Sequence, residues 1–287
     1  MPHIRVVTDS TCDLPDALLR QFDITMVSHS IQFGTETYLD RIGISTSQLL
    51  MRLEDGEPNP LQVVAPSIDD FSRVYRSLRE TCDGIISVHI SSRLSETLTN
   101  AGVAREAFGP VGHGGPFPIA VVDSQSMSMG LGWIALALAR AAMSGSDLAK
   151  LASLATRLRG QTHVAFITEH LYGLMKNGLV ANLAPQWHSI AAMKPLLHID
   201  EGQIAVYERT RTRAKARDAL YNFVEDFPKI GEIAVIYTGP QNDLEHLLTR
   251  VGAIYPRERI VILQPNPSVA AWLGQEALLV AVFEGEE

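Results

Sequence analysis

Hydroxyl, thiol and carboxylate side chains follow one another in a short segment near the start of the chain, Thr8-Asp9-Ser10-Thr11-Cys12-Asp13. Such a segment suggests either a nucleophile with acidic partners or a group of hydrogen-bond donors that holds a ligand. The carboxylates of Asp9 and Asp13 raise the pKa of the Cys12 thiol, which makes Cys12 a poor nucleophile. We therefore expect a structural cysteine here, with Asp13 as the N-cap of the next helix.

Signatures of catalysis are weak in the rest of the chain. Because no Gly-x-Ser-x-Gly occurs, His113-Gly114-Gly115 lacks the nucleophile that an esterase oxyanion loop would serve. The nine histidines form no HxH or HxxxH pair, and no Walker A sequence is present. The sequence therefore predicts neither a catalytic site nor a bound metal.

One glycine motif, Gly130-Leu131-Gly132-Trp133-Ile134-Ala135, matches the GxGxxA pattern of dinucleotide-binding proteins. That fingerprint directly follows a strand, whereas six residues separate this motif from the predicted strand end at Asp123. Close helix packing through small residues explains the motif better, so we predict no cofactor. An NAD-dependent oxidoreductase remains the alternative from another class of protein.

Polar turns follow three of the predicted strands. Val7 leads into the segment described above, and two more strands lead into Ser91-Ser92-Arg93-Leu94-Ser95-Glu96-Thr97 and Asp123-Ser124-Gln125-Ser126. Ligands of open α/β sheets bind beyond the carboxyl ends of strands, where the N-terminus of the next helix favours an anion. Helix capping by Ser, Thr and Asp explains each turn separately. A ligand site at this sheet edge and simple capping both remain open.

Short runs rich in Val and Ile alternate with helical patterns in the first half of the chain, which indicates βαβ units and a parallel sheet covered by helices. We predict a doubly wound α/β domain over residues 1–160. Its strands are predicted at Ile4–Thr8, Ile24–Phe33, Ile85–Ile90 and Ile119–Asp123, and its helices at Asp13–Phe22, Thr46–Leu53, Ile68–Glu80, Ser95–Phe108 and Gly130–Ala142. The Gly- and Pro-rich segment Phe108–Pro118 is predicted to be a surface loop.

The second half, residues 161–287, is predicted to be an α/β domain with a mixed sheet. Asp200-Glu201-Gly202 between two apolar runs is typical of a hairpin, so antiparallel strands join this sheet. The predicted strands are His163–Thr168, Leu196–Ile199, Gln203–Glu208, Ile233–Tyr237, Ile260–Leu263 and Leu278–Phe283, with helices at Glu169–Lys176, Leu183–Met193 and Arg211–Phe223. The fold class is therefore α/β with two domains.

Composition excludes several classes of partner. The 287 residues are 46% hydrophobic and carry a net charge of −8, which disfavours nucleic acid and anionic membrane surfaces. Two cysteines give no disulfide framework, and the N-terminus lacks the pattern of a signal peptide. No apolar run approaches the ~18 residues of a membrane span. We expect a cytoplasmic protein without an integral membrane segment.

Five segments, in order, resemble motifs of the DegV family. Ile4–Pro15 is similar to the opening strand with T-D-S-x-x-D-L-P, and Ile90–Ala101 to I-S-S-x-L-S-G-T-x-x-x-A. The other three are Pro66-Ser67 at the end of T-S-Q-P-S, Val122-Asp123-Ser124 for V-D-S-K, and Lys194-Pro195-Leu196 with Gly202 and Arg211–Ala216 for K-P-I-L…G…R-x-x-x-x-A. The resemblance covers nearly the whole chain.

What the resemblance implies is a two-domain α/β protein that binds one long-chain fatty acid. The acyl chain would lie in an apolar tunnel between the domains, with its carboxylate near the strand ends of the first domain. Such proteins are not enzymes, and they present the acid to a separate fatty acid kinase for phospholipid synthesis. The apolar composition fits this expectation, since each buried CH₂ contributes ~0.8 kcal/mol.

The head-group residues implied by the resemblance are carried over position by position. The Ser and Thr of L-S-G-T fall on Ser95 and Thr97, with Glu96 in place of the glycine. The first two residues of T-S-Q-P-S fall on Val63 and Val64, the Arg of G-R-I on Leu179, and the His of H-x-G-P-G on Asn266. The ligand-binding residues expected on this basis, with neighbouring hydroxyls, are Ser95, Thr97, Ser92, Ser91, Ser10, Asn266 and the position of Val63.

These replacements remove hydrogen-bond donors from the implied head-group site. Val63 has no side-chain donor, and Glu96 repels an anion if its side chain points inward. A buried carboxylate without hydrogen-bond partners is less stable than a paired one by roughly several kcal/mol. A free fatty acid is the first expectation. A ligand with a less polar head, or a lipid sensor without a kinase partner, is the alternative.

Overall fold

The computed structural model describes residues 2–54, 61–108 and 117–285. Its strands, in chain order, are β1 Ile4–Asp9, β2 Ile24–Val27, β3 Ser30–Phe33, β4 Glu36–Leu39, β5 Leu61–Val64, β6 Gly84–His89, β7 Ile119–Asp123, β8 Thr162–Ile167, β9 Leu196–Asp200, β10 Gln203–Glu208, β11 Glu232–Tyr237, β12 Val261–Leu263 and β13 Leu278–Phe283. Most of the predicted loop Phe108–Pro118, with His113, lies outside the described residues.

The helices lie between these strands. In chain order they are α1 Asp16–Gln21, α2 Thr46–Glu54, α3 Ile68–Arg79, α4 Thr97–Glu106, α5 Met129–Met143, α6 Leu148–Leu158, α7 Leu171–Lys176, α8 Trp187–Ala191, α9 Arg213–Glu225, α10 Gln241–Val251 and α11 Pro267–Leu273. Short 3₁₀ segments occupy Ser10–Cys12, Arg159–Gln161, Ala181–Gln186 and Arg257–Arg259. The sequence patterns did not predict α6, α10 or α11.

The first sheet is parallel, as predicted, and its strand order is β2-β1-β6-β7. Alternate residues of its buried strands face opposite layers of helix. Val7 and Ile85 pack against Phe71 and Tyr75 of α3 on one side. The other face packs against α5 and α6 in the largest apolar cluster of the described residues. Helices on both faces make this a doubly wound sheet.

The second sheet is mixed, in the order β10-β9-β8-β13-β11-β12. β13 is antiparallel to both β8 and β11, whereas β11 and β12 are parallel. The predicted hairpin is present, and its turn places Glu201 at φ 45° and Gly202 at φ +80°. Helices α9 and α10 cover one face of the sheet. The α/β fold with one parallel and one mixed sheet is therefore confirmed.

A small third sheet, in the order β4-β3-β5, was not predicted. The single strand expected at Ile24–Phe33 is wrong, because the chain leaves the parallel sheet after Val27 and starts an antiparallel strand at Ser30. At the break, the backbone N–H of His29 donates to the Ser10 hydroxyl at 2.9 Å rather than to a neighbouring strand. A buried side-chain contact thus ends β2 and turns the chain.

Helix α5 joins the two sheets. Its residues Met129–Ala139 are all buried, and the cluster around it includes Val88 of the first sheet and Phe166 of the second. A Cβ on Gly132 would lie 2.5 Å from the carbonyl oxygen of Cys12, and one on Gly130 would overlap Ser126. The GxGxxA glycines therefore allow close helix packing. The domain division at residue 160 stays a prediction.

The expected helix at Asp13–Phe22 starts later than predicted. Asp13 adopts φ 53°, and α1 begins at Asp16 after Pro15, which supplies no side-chain cap. The prediction that Asp13 is the N-cap of this helix is wrong, because its carboxylate is buried against Ser128 and the backbone of Asn266. Within the described ranges, no helix is both long and apolar enough to cross a membrane.

Candidate head-group site

Four side chains meet in a cluster of hydrogen bonds centred on His29. Its Nδ1 lies 3.2 Å from the Ser10 hydroxyl, and its Nε2 lies 3.0 Å from the Thr97 hydroxyl. The Thr97 hydroxyl in turn lies 2.8 Å from that of Ser95. We call Ser10, His29, Thr97 and Ser95 the head-group cluster. The structure thus brings together three of the predicted hydroxyls around a histidine that the sequence patterns did not single out.

The cluster is built beyond the carboxyl ends of β1, β2 and β6. Ser10 directly follows β1, His29 follows β2, and Thr97 is the first residue of α4. Ser10, His29 and Thr97 are fully buried, whereas Ser95 is half-buried. Ser95 is therefore the most exposed member of the cluster.

Ser95 is not the N-cap of α4. Glu96 occupies that position without a side-chain capping bond, and its side chain is exposed. Besides its contact with the Thr97 hydroxyl, the Ser95 hydroxyl accepts a long hydrogen bond, 3.3 Å, from the backbone N–H of Thr97. Its hydroxyl therefore keeps capacity for a further partner, and Glu96 points away from the buried end of the cluster.

Asn266 lies behind the cluster. Its side-chain amide donates to the carbonyl oxygen of Ser10 at 2.6 Å, and its backbone N–H donates to Asp13 at 2.6 Å. Two residues later, the backbone N–H of Ser268 donates to Asp40 at 3.2 Å. The predicted residue Asn266 is thus brought next to Ser10, but its amide holds the backbone there.

The buried carboxyl groups of Asp13 and Asp40, near the start of α11, have raised pKa values. Burial is the main cause for both, and it raises the pKa of Asp13 to about 7 and that of Asp40 to about 6. The charge of Asp40 adds to the shift of Asp13, while hydrogen bonds from Ser128 and Asn266 oppose it. The protein therefore places its own acidic groups at the start of α11.

A second buried histidine, His89, completes a separate polar network. Its Nδ1 lies 3.0 Å from Asp9, its Nε2 lies 2.6 Å from the Ser87 hydroxyl, and Ser87 accepts a hydrogen bond from Tyr75 at 2.8 Å. These contacts resemble the Ser-His-Asp arrangement of hydrolases. However, Ser87, His89 and Asp9 are all fully buried, so a substrate carbonyl cannot reach the serine.

The carboxylate of Asp9 is ionised in the folded protein. Burial alone would raise the pKa of Asp9, but hydrogen bonds from His89 and Thr11 and the two nearby imidazoles lower it to about 2. Burial lowers the pKa of His29 to about 4, against a smaller opposing effect of Asp9. His29 is therefore neutral at pH 7 and has one N–H donor and one acceptor nitrogen.

The side chains of Ser91, Ser92 and Val63 lie outside the hydrogen bonds of the head-group cluster, although the carbonyl oxygen of Ser91 accepts from the backbone N–H of Ser95 at 3.2 Å. The Ser92 hydroxyl donates to Asp123 at 2.6 Å, and Ser91 accepts from the backbone N–H of Arg93 at 3.2 Å. Val63 lies in β5 opposite Ile31, and its backbone N–H donates to the Asn177 side chain at 3.1 Å. Their part in ligand binding stays a prediction.

Apolar residues border the cluster. The Trp272 ring of α11 meets His29 edge to face, with 6.4 Å between the ring centroids. All seven residues of α11 are buried. Val269, Trp272 and Leu273 belong to the large apolar cluster around α5, and Ala270 and Ala271 belong to a smaller one with Ile31 and Phe33 of β3. Leu179, at the position of the missing arginine, is buried in the large cluster. A polar end and an apolar interior thus adjoin each other.

The structure agrees with the expected chemistry of the first polar segment. Cys12 is fully buried, and burial is the main cause that raises the pKa of its thiol. A buried, protonated thiol is a poor nucleophile. Among residues 2–54, 61–108 and 117–285, no three His, Cys, Asp or Glu side chains are arranged to hold a metal ion.

Comparisons with known proteins agree on one family. A family model described as "Uncharacterised protein, DegV family" matches residues 3–285. A DegV domain-containing protein from Streptomyces coelicolor is 32% identical over 226 residues, which are 78% of this chain and 77% of that protein. The fold and site define an α/β protein with one parallel and one mixed sheet and a hydroxyl–imidazole cluster at its strand ends. The chain belongs to the DegV family.

Solved structures have the same fold. A DegV family protein from Thermus thermophilus, described as binding fatty acid, has a TM-score of 0.87 at 26% identity and covers 99% of this chain and 100% of its own. The Fatty Acid Kinase (Fak) B3 protein of Streptococcus pneumoniae, loaded with linoleic acid, has a TM-score of 0.82 at 18% identity, with 98% and 99% covered. The second likeness is one of fold alone.

Proposed function

We propose that this protein binds one long-chain fatty acid, with the carboxylate at Ser95 and the acyl chain in a tunnel between the predicted domains 1–160 and 161–287. The observation that carries the proposal is the head-group cluster, which runs from buried His29 to half-buried Ser95 beside the apolar helix α11. The DegV family protein from Thermus thermophilus, described as binding fatty acid, supports it.

The energetics favour a long apolar ligand. Each CH₂ group that leaves water contributes ~0.8 kcal/mol, so an acyl chain of ordinary length outweighs an imperfectly paired head group. Hydroxyl donors at Ser95 and Thr97 offset part of the desolvation of a carboxylate. Binding therefore depends on the acyl chain for affinity and on the cluster for the position of the head group.

The protein acts as a carrier rather than as an enzyme in this proposal. Its Ser-His-Asp arrangement is closed to substrate, and Cys12 is buried. The carrier presents the acid to a separate fatty acid kinase in the cytoplasm. This partner is the one that the resemblance to the DegV family motifs implies. A pull-down with a purified fatty acid kinase subunit tests it, and no complex with lipid-loaded protein would favour a sensor instead.

A ligand with a less polar head is the second candidate. Val63 and Leu179 replace polar residues of the family pattern, and the acidic groups Asp9, Asp13 and Asp40 lie close behind the cluster. Both features disfavour a full negative charge at the head. A titration with palmitate and with the fatty alcohol of equal length separates the two candidates. Tighter binding of the alcohol would support the second.

The direct test is a palmitate titration of three proteins: wild type, Ser95→Ala and Ser144→Ala. Ser144 is an exposed serine at the end of α5, whose hydroxyl donates to the carbonyl oxygen of Arg140, so it serves as the matched control. We expect Ser95→Ala to weaken palmitate binding roughly tenfold through the loss of one hydrogen bond to a charged group. Equal affinity of all three proteins would place the carboxylate elsewhere.

A further inference from the structure

His29 is part of the cluster although neither its sequence context nor the family motifs pointed to it. It occupies the break between β2 and β3, and no part of the two short strands would require a histidine there. Its ring is fully buried between Ser10 on one side and Thr97 on the other. A polar ring in this place needs a reason beyond packing, because an apolar residue would avoid the desolvation of the imidazole.

The number of protons on the His29 ring limits the hydrogen-bond roles of Ser10 and Thr97. A neutral imidazole has one N–H and one acceptor nitrogen, so Ser10 and Thr97 must take opposite roles. Ser10 already accepts the backbone N–H of His29 at 2.9 Å, and its own proton has two acceptors, Nδ1 and the Asp40 carboxyl. In one arrangement that proton goes to Nδ1. Nε2 then carries the ring proton and donates to Thr97.

This arrangement directs a chain of hydrogen bonds outward. Nε2 donates to the Thr97 hydroxyl at 3.0 Å, and Thr97 donates to the Ser95 hydroxyl at 2.8 Å. The Ser95 proton is then left for a ligand. The last donor of the chain is thus the half-buried hydroxyl, which suits a carboxylate.

Asp9 favours the opposite arrangement. Its ionised carboxylate lies 3.9 Å from Nδ1 of His29, and a negative charge there stabilises a proton on Nδ1. Thr97 would then donate to Nε2 and Ser95 to Thr97, so that Ser95 would offer only acceptor lone pairs. A carboxylate bound at Ser95 stabilises the outward direction instead. The side of the ring that carries the proton is therefore coupled to the charge of the head group.

We infer that His29 is the positioning residue of the head-group cluster and carries its proton on Nε2 when a fatty acid carboxylate is bound. This inference rests on the proposed function and specifies which side chain orients the donor. It accounts for how the site holds a carboxylate although Val63 and Leu179 supply no donor. His29 acts through Thr97 and Ser95 and does not itself touch the ligand.

Two substitutions separate positioning from packing. His29→Leu replaces the imidazole with an apolar side chain of similar size and removes both ring nitrogens. His29→Gln instead supplies an amide N–H near the position of Nε2. We expect His29→Leu to bind palmitate roughly tenfold more weakly, with His29→Gln recovering a good part of that loss. Methyl palmitate, which carries no charge, is expected to bind both variants and wild type with affinities within about threefold.

A spectroscopic measurement tests the proton position directly. The ¹⁵N chemical shifts of His29 in the wild-type protein saturated with palmitate report which ring nitrogen carries the proton, and we expect Nε2. A proton on Nδ1 in that complex would overturn the inference, and so would equal palmitate affinities of wild type and His29→Leu. If wild type binds no palmitate, the proposed function itself fails and the inference falls with it. Each variant's melting temperature checks that it is folded.

Discussion

Two buried histidines lie at the carboxyl-end edge of the first sheet and can be compared directly. His89 belongs to a closed network, in which Tyr75, Ser87 and Asp9 are as buried as the imidazole itself. His29 belongs to an open one, which reaches half-buried Ser95 after two hydrogen bonds. The residue types are nearly the same in both. The two networks differ in access to the surface: a ligand could reach only the open network, whereas the closed one can only stabilise the fold.

Substitution of Asp9 breaks the closed network and is expected to lower the free energy of unfolding more than the serine substitutions do. Asp9→Asn removes the charge that His89, Thr11 and the backbone of Ile90 all stabilise. We expect the free energy of unfolding to fall by about 3–5 kcal/mol, as for other broken buried pairs. Urea unfolding followed by circular dichroism measures this value. A loss below about 1 kcal/mol would mean that the network is not ionised as described.

A smaller effect compares one serine of each network. Ser87→Ala leaves Tyr75 and His89 without their buried partner, so we expect a loss of about 1–3 kcal/mol in unfolding free energy. Ser95→Ala changes a half-buried hydroxyl, and we expect a loss below about 1 kcal/mol. Thermal and urea unfolding of the two variants give both values. The reverse order would contradict the division into a closed and an open network.

The last comparison concerns pH and the acidic groups behind the open network. Asp13 has a pKa of about 7 in the folded protein and an ordinary pKa near 3.8 when unfolded. The folded state therefore holds the proton more tightly, so this contribution to stability is complete below pH 3.8 and is lost as pH rises through about 7. The opposite shift of His29 partly masks it in wild type.

Asp13→Asn isolates this contribution. Over the range between pH 4 and 7, we expect the unfolding free energy of the variant to fall less steeply than that of wild type. The difference in slope is at most about 1.4 kcal/mol per pH unit for one group. Unfolding curves at several pH values measure it. Identical slopes would show that Asp13 is ionised in the folded protein.

Much of the fold was predictable because it depends on local patterns. Continuous Val and Ile runs in β1 and β6 specify strands buried on both faces, and Asp200-Glu201-Gly202 specifies the hairpin turn. The break at His29 was not predictable, because Ile24–Phe33 has an unbroken strand composition. The hydroxyl of Ser10, which is distant in sequence, ends β2 there. At this break a tertiary contact overrides the local strand propensity.

The candidate site was predictable in part for the same reason. Ser95, Thr97 and Ser10 were expected from their turns and from the family motifs, and they do lie together. His29 carried no motif and no spacing signal, since its partners are 19 and 68 residues away in the chain. The buried triad of Ser87, His89 and Asp9 was missed as well, because its members lie on two strands that only the sheet brings together.

The central claim is that this protein carries one long-chain fatty acid, and native mass spectrometry of the purified protein tests it most directly. The predicted result is a species heavier than the chain by the mass of one long-chain fatty acid, which organic extraction removes and added palmitate restores at one molecule per chain. Protein that stays free of lipid in the presence of excess palmitate, or that carries NAD instead, would contradict the claim.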